Sequence, residues 1–284
     1  MSETFWKFAG RTLDLSRTGA IMGVLNVTPD SFSDPGEFFS TEHAVEQALR
    51  MESEGAQIID IGGESTRPDA KAVSASEECA RVLPVLQKLR GKVTALISID
   101  TSKAEVAEAA LHEGASIVND VTGGRRDASM MPLVARTGAG FIIMHMQGTP
   151  RTMQKNPHYN DVVAEVRDFF RQQYRAALES GIDPMAIAFD PGIGFGKTLA
   201  HNLDLLRHLR QLGDENRPIV VGVSRKSFLA KIIDSLEMKD RLAPTVALTA
   251  LLRQRGANVI RVHDVKDNVA ALRVAEALMD GESR

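Results

Sequence analysis

Cysteine is almost missing from the 284 residues, and Cys79 stands alone. An intramolecular disulfide and a thiolate metal cage are therefore both excluded. Set in the helical-looking stretch "ASEECARVL", Cys79 reads as a small half-buried thiol and not as a nucleophile. Aromatic residues are scarce at 5%, with one Trp and two Tyr, so the core must be built mainly from Ala, Val, Ile and Leu. No apolar run approaches the ~18 residues needed to cross a bilayer. The opening "MSETFWKFAGRTLDLS" has neither the basic region nor the unbroken apolar stretch of a secretory leader, so a cytoplasmic protein is expected. An excess of one charge is missing too. The 34 Lys and Arg against 37 Asp and Glu leave a net charge of −3, which gives no whole-chain attraction to nucleic acid or membrane. Any anion site must be local. Low-complexity tracts and interdomain linkers are also absent, which leaves a single domain over residues 1–284.

What the chain does have is an internal repeat. "EGAQIID" (54–60), "EGASIVN" (113–119) and "RGANVIR" (255–261) share one design. A helix stops at a glycine able to adopt the left-handed cap conformation. A small residue and an apolar, mostly β-branched pair follow, then a polar residue: Asp60, Asn119 or Arg261. "GFIIMH", from Gly140 to His145, has the same offset. Helix starts lie between the strands: "SASE" (74–77) and "SKAE" (102–105) match the capping box. "KAEVAEAALHEG" and "DVVAEVRDFFRQQYRAALESG" have helical apolar spacing, and Pro84 is expected to bend its helix. Strand candidates fall at 20–26, 57–62, 95–100, 115–119, 140–145, 185–190, 218–223 and 257–262. Continuously apolar strands alternating with helices imply parallel pairing with both faces covered. Eight such units predict a (β/α)8 TIM barrel. A short N-terminal β-hairpin turning near Gly10 would plug the amino end of its strands. A doubly wound open sheet is the alternative.

In a parallel barrel the functional groups gather where strands end, and here nearly every strand delivers one. "DIGGESTRP" (60–68) is such an end running into its loop. Asp100, Asn119 and Asp190 offer carboxylate and amide groups suited to a flat heterocycle with adjacent N–H donors. Lys226 supplies a point-charge donor. Arg261 and His263 leave one strand on the same face, and with Asn26 they could hold a phosphate-rich group. Ser102 and Asp264 are expected to be helix caps. "GIGFGK" (192–197) lacks the spacing of a Walker motif and reads as a tight turn needing glycine. His145, between two methionines, reads equally as a ligand-facing imidazole or as a supporting or packing one. The Arg125–Arg126 pair reads as a solvated loop. Asp60 and Glu64 are expected to brace loop backbone.

Taken together, "MGVLNVTPDSFSD", "DIGGESTRP", "SIDTSK", "NDVTG", "MHMQGTP", "FDPGIGFGK", "GVSRKSF" and "IRVHDV" resemble the dihydropteroate synthase family, in order and across nearly the whole chain. The resemblance implies a TIM barrel. It also implies a transferase of folate biosynthesis that joins 6-hydroxymethyl-7,8-dihydropterin diphosphate to 4-aminobenzoate, releasing pyrophosphate and 7,8-dihydropteroate. Carried over residue by residue, it places the pterin against Asp100, Asn119, Asp190, Lys226, Val121, Met144, Gly222 and Arg261. The diphosphate falls to Asn26, Arg67, Arg261 and His263, with Mg2+ as cofactor on Asn26. Phe32, Thr66, Arg67, Pro68, Ser224, Lys226 and Ser227 would form or border the aminobenzoate site. One departure is Pro35, where the family's "SFSDGG" has glycine. It fixes φ and removes an N–H donor, so the first loop, with Phe32 and Asp34, would close by a different path.

The family's mechanism is SN1-like, and it implies catalytic roles for Asp100, Lys226 and Arg67. Loops 22–39 and 62–72 would close to exclude water. The partners implied are small-molecule substrates and a second copy of the chain, through outer helices. Two alternatives stand beside it. Methyltetrahydrofolate-dependent methyltransferases share a pterin-binding barrel, but would not need "STRP" and "SRKS". A non-catalytic pterin-binding protein would have lost some of Asn26, Asp100, Lys226, Arg261 and His263, and none is lost.

Overall fold

Each of the eight apolar runs forms a strand, because a strand covered on both faces needs apolar side chains at successive positions. The structure, a computed structural model, describes residues 3–28, 41–65, 72–149, 152–213 and 216–280. Two strands come first, β1 (Phe5–Phe8) and β2 (Arg11–Asp14). The barrel strands are β3 (Ala20–Asn26), β4 (Ile58–Gly62), β5 (Leu96–Asp100), β6 (Ile117–Asp120), β7 (Gly140–Met144), β8 (Ile187–Asp190), β9 (Val220–Gly222) and β10 (Val259–Val262). Helices α1 (Thr41–Ser53), α2 (Ala75–Leu89), α3 (Ala104–His112), α4 (Met130–Thr137), α5 (Val162–Glu179), α6 (Leu199–Arg207), α7 (Ser227–Ile233), α8 (Leu242–Gln254) and α9 (Val265–Asp280) lie between or after them. The strands pair in parallel in the order β8-β7-β6-β5-β4-β3-β10-β9. A parallel bridge between Phe189 and Ile219, with the Phe189 amide donating to the Pro218 carbonyl, joins β8 to β9 and closes the cylinder.

The repeat has the predicted physical basis. Gly55, Gly114 and Gly256 end their helices at φ of 103°, 110° and 98°, a region that disfavours any side chain. "GFIIMH" does not share it. The glycine that caps α4 is Gly138, at φ 66°, while Gly140 opens β7. Its lack of a side chain makes room for the hairpin, since a Cβ there would lie 3.0 Å from the Phe8 ring.

Helix starts divide along similar lines. Ser74 and Glu77 form the reciprocal capping box of α2, which runs through Pro84 to Leu89. "SKAE" does not form one. Lys103 occupies the cap position of α3 with no side-chain cap bond, and the Ala104 amide instead donates to the Asp127 carboxylate at 2.8 Å. Ser102 accepts from Arg126. The cap is supplied by a neighbouring loop. Asp264 precedes α9, but its carboxylate takes the Arg225 guanidinium while its carbonyl receives Asn268.

The N-terminal hairpin turns at Ala9 and Gly10. The Trp6 indole donates to the Ala186 carbonyl at 2.8 Å, and the Ala9 amide to that of Gly138 at 2.8 Å. Trp6 is fully buried and meets Phe8 edge to face. The hairpin thus plugs the amino ends of β7 and β8. Trp6→Ala is expected to lower stability by about 3–5 kcal/mol, measured by chemical denaturation, with the fold retained by circular dichroism.

Candidate active site

At the carboxyl ends of the strands, one arginine organises the charges. Arg261, from β10, donates through Nε to Asp60 Oδ2 at 2.6 Å and through a terminal nitrogen to Asp100 Oδ2 at 2.7 Å. It therefore reaches across β3 to β4 and β5. Asp60 is fully buried and also accepts from Asn119 Nδ2 at 3.0 Å. Its role is to anchor Arg261 and Asn119, not to brace loop backbone. Glu64 does brace its loop, accepting the Val73 amide at 3.2 Å, and it pairs with Lys103 at 2.6 Å. Asn119 Oδ1 is buried with no hydrogen-bond partner among the described residues, an uncommon state for a buried acceptor.

Asp190 ends β8, next in register to Met144, and accepts the Gly192 amide at 2.7 Å. Lys226 stands opposite. Its ammonium donates to the Ile193 carbonyl and lies 4.8 Å from the centre of the Phe195 ring. Val121, Met144, Met146 and Met153 form an apolar cluster separate from the main core, with Phe195 packed against it. A cavity of about 520 Å³ opens above Asp100 and Val121, lined also by Thr122, Arg125 and Met146.

Three consecutive residues after β9 each reach a different partner. Ser224 is buried; its Oγ accepts the His263 amide at 3.2 Å and meets the His263 Nδ1 at 3.0 Å. Arg225, at φ 57°, grips both Asp264 oxygens. Lys226 then turns inward. A left-handed arginine is strained, and the bidentate grip holds it. Ser227 is exposed at the first position of α7, and Gly222 lies between Lys226 and Arg261, 3.7 and 3.8 Å from where a Cβ would be. Asn26 ends β3, paired with Gly62. Phe32, Asp34, Pro35, Thr66, Arg67 and Pro68 lie outside the described residues.

Burial dominates the electrostatics. It raises Asp100 to about 7, against the pull of Arg261 and helped by the charge of Asp60. It raises Asp190, opposed by Lys226, and lowers Lys226 to about 8, opposed by Asp190. Arg261 is different: burial opposes its charge, but Asp60 and Asp100 more than compensate and hold it firmly protonated. His145 proves to be a supporting residue. Burial, then Lys197 and Arg125, pull its pKa down to about 2, and its ring packs edge-on against Phe169.

Sequence reasoning missed three things. Asp60 as an anchor was marked by its offset in the repeat, shared with Asn119 and Arg261. Phe195 beneath Lys226 had no signal beyond the glycine turn. Arg125 and Arg126 sit at the cavity rim: Arg125 donates to the Met146 carbonyl at 2.7 Å and lies 4.9 Å over Phe169, and Arg126 binds Ser102 at 3.0 Å.

Carboxylate and amide acceptors, a guanidinium, an ammonium and an apolar cluster thus meet at the carboxyl ends of one barrel's strands. Residues 22–263 match the sequence profile of pterin binding enzymes, and the chain belongs to that family. A dihydropteroate synthase from Synechocystis sp. is 46% identical over 95% of this chain and 93% of its own. The dihydropteroate synthase of Xanthomonas albilineans, solved with 4-aminobenzoic acid, superposes with a TM-score of 0.91 at 42% identity, covering 98% of this chain and 99% of that one. That of Yersinia pestis, solved with a sulfonamide drug, also gives 0.91 at 42% identity, covering 97% and 99%.

The raised Asp100 predicts a signed pH effect. Its folded-state pKa lies above the usual carboxylate value, so its ionisation favours unfolding. The stability of the wild type relative to Asp100→Asn is expected to be highest below about pH 4 and to fall until about pH 7. Denaturant unfolding of both proteins across that range measures it.

Proposed function

We propose that the chain is a dihydropteroate synthase whose strand-end residues act as follows. Asp100, Asn119, Asp190 and Lys226 read the edge of 6-hydroxymethyl-7,8-dihydropterin diphosphate. Val121 and Met144 support the ring, Gly222 leaves space beside it, and the Arg261 guanidinium lies against its face. Asn26, Arg67, Arg261 and His263 hold the diphosphate. Phe32, Thr66, Arg67 and Pro68 frame 4-aminobenzoate, with Ser227 at the start of α7, Ser224 behind His263, and Lys226 completing the wall. The observation that supports this most is the Asp60–Arg261–Asp100 bridge standing beside the buried acceptor Asn119 Oδ1. One cation, several acceptors and an apolar floor suit a bicyclic ring rich in N–H groups with an anionic tail.

The reaction then follows in an SN1-like order. The bond between the exocyclic methylene and the diphosphate oxygen breaks, and its electron pair leaves with pyrophosphate. Positive charge remains on the methylene, shared with the dihydropterin ring. Asp100 in its ionised form, which gains population as pH rises through about 7, stabilises that charge from a fixed position, where it counts for more than in water. Arg261 and His263 steady the departing group. The aminobenzoate nitrogen forms the new bond and loses a proton, giving 7,8-dihydropteroate. Mg2+, when bound, neutralises charge on the diphosphate. Asn26 fits it as one side-chain oxygen, for Mg2+ commonly keeps waters and substrate phosphates as its remaining ligands. Among the described residues no group of three or more His, Cys, Asp or Glu forms a dedicated cage.

The same reading makes the protein a cytoplasmic homodimer. No helix among the described residues is long and apolar enough to cross a membrane. Leu251 on α8, with Val274 and Leu278 on α9, presents exposed apolar surface for a second copy.

Supplied with pterin diphosphate, aminobenzoate and Mg2+, the protein should release pyrophosphate and dihydropteroate; a failure to form either refutes the reading. Asp100→Asn should lower kcat by a barrier increase of ~2.7–4 kcal/mol, comparable to losing one oxyanion-hole donor, with a smaller change in pterin diphosphate binding. Arg67→Ala should raise the aminobenzoate KM, and unchanged activity at limiting aminobenzoate removes Arg67 from that site.

A further inference from the structure

Lys197 closes the "GIGFGK" turn and has no part in the chemistry above, yet its side chain is buried, with 3% of the residue exposed. A buried ammonium is costly unless its donors are satisfied. Here Nζ donates to the carbonyls of Gly192 and Phe195, both at 3.0 Å, and meets His145 Nδ1 at 2.9 Å. The His145 carbonyl lies further off at 3.4 Å. Burial pulls the Lys197 ammonium well below its ordinary pKa, and in the charged form its three N–H groups match the three close partners. His145 Nδ1 is the acceptor in the tautomer protonated at Nε2.

The turn so held has little freedom to move. Gly192, Gly194 and Gly196 have φ of 62°, 85° and 64°. A Cβ on Gly192 would fall 1.9 Å from the His145 carbonyl oxygen, and one on Gly196 2.5 Å from that of Gln147. The turn is pressed against the end of β7. What it presents on its other side is the pocket: the Gly192 amide on Asp190, the Ile193 carbonyl under the Lys226 ammonium, and the Phe195 ring beside it.

We propose that Lys197 is a positioning residue for pterin recognition: by tying the Gly192 and Phe195 carbonyls to His145, it sets the turn whose Ile193 carbonyl and Phe195 ring seat Lys226. The inference rests on the assignment of Lys226 to the pterin pocket. It differs from a general stabilising role because its effect must pass through that one side chain.

A double-mutant cycle on the full chain tests it, with calorimetric binding of 6-hydroxymethylpterin as the readout. Lys197→Met should weaken binding about tenfold in the wild-type background but less than about twofold when Lys226 is already Ala. The KM for pterin diphosphate should rise while that for aminobenzoate stays within about twofold. Equal losses in both backgrounds, or a lower kcat with both KM values unchanged, would overturn the proposal. Should Lys197→Met fail to fold, His145→Phe decides. It keeps a packed ring and removes one acceptor, so it should weaken binding about threefold, again only with Lys226 present; unchanged binding there refutes the proposal. If Lys226→Ala alone leaves pterin binding intact, the pocket assignment itself fails, and the proposal with it.

Discussion

The site depends on one half-buried cation shared by two carboxylates. Arg261 comes from β10, Asp60 from β4 and Asp100 from β5, so the guanidinium reaches past β3 to fasten β10 to the next two staves at the carboxyl ends of the strands. Arg261 is the shared counterion of both acids, so its loss would strand the fully buried Asp60 and leave Asp100 unpaired. The arrangement also fixes polarity. With its Nδ2 committed to Asp60, Asn119 keeps Oδ1 as an acceptor. Asp100 shares its counterion with Asp60, so its carboxyl is only partly neutralised and can answer positive charge arising nearby.

The second support is the glycine turn after β8. It has no catalytic group of its own. Its left-handed Gly192 and Gly196 let backbone approach backbone at distances that no Cβ would permit, and the Gly192 amide and Ile193 carbonyl become the immediate surroundings of Asp190 and Lys226. A rigid scaffold beneath a functional group is what holds it within the narrow geometry that catalysis needs. Here much of the scaffold is main chain.

The barrel was legible because its physics is local. Uninterrupted runs such as "AIMGVL" and "FIIM" can be satisfied only as covered strands, and the glycines at 55, 114 and 256 announce where helices stop. Strand-end residues were legible for the same reason: Asp100, Asn119, Asp190 and Arg261 each follow directly from a strand whose direction is known. What escaped were pairings made across the fold. Asp60 and Arg261 are 201 positions apart, and no spacing links them. "SKAE" has the letters of a capping box, but Asp127, from the next loop, reaches the Ala104 amide instead. The "GFIIMH" offset misled because Gly138, two residues earlier, had already ended the helix. Resemblance to the synthases singled out Asp100, Asn119, Asp190 and Lys226 together; it did not reveal why Lys197 lies buried behind the glycine turn.

The cylinder is not equally strong around its circumference. Strand β9 has only three residues, and its link to β8 is the Phe189–Ile219 bridge with one amide bond at the same level. Asp190 and Lys226 stand on opposite sides of that joint. A rigid bicycle held by both would act as a rivet across the thinnest seam of the hoop. Occupancy and the integrity of the wall are then one equilibrium, and substrate becomes a structural member of the vessel that encloses it.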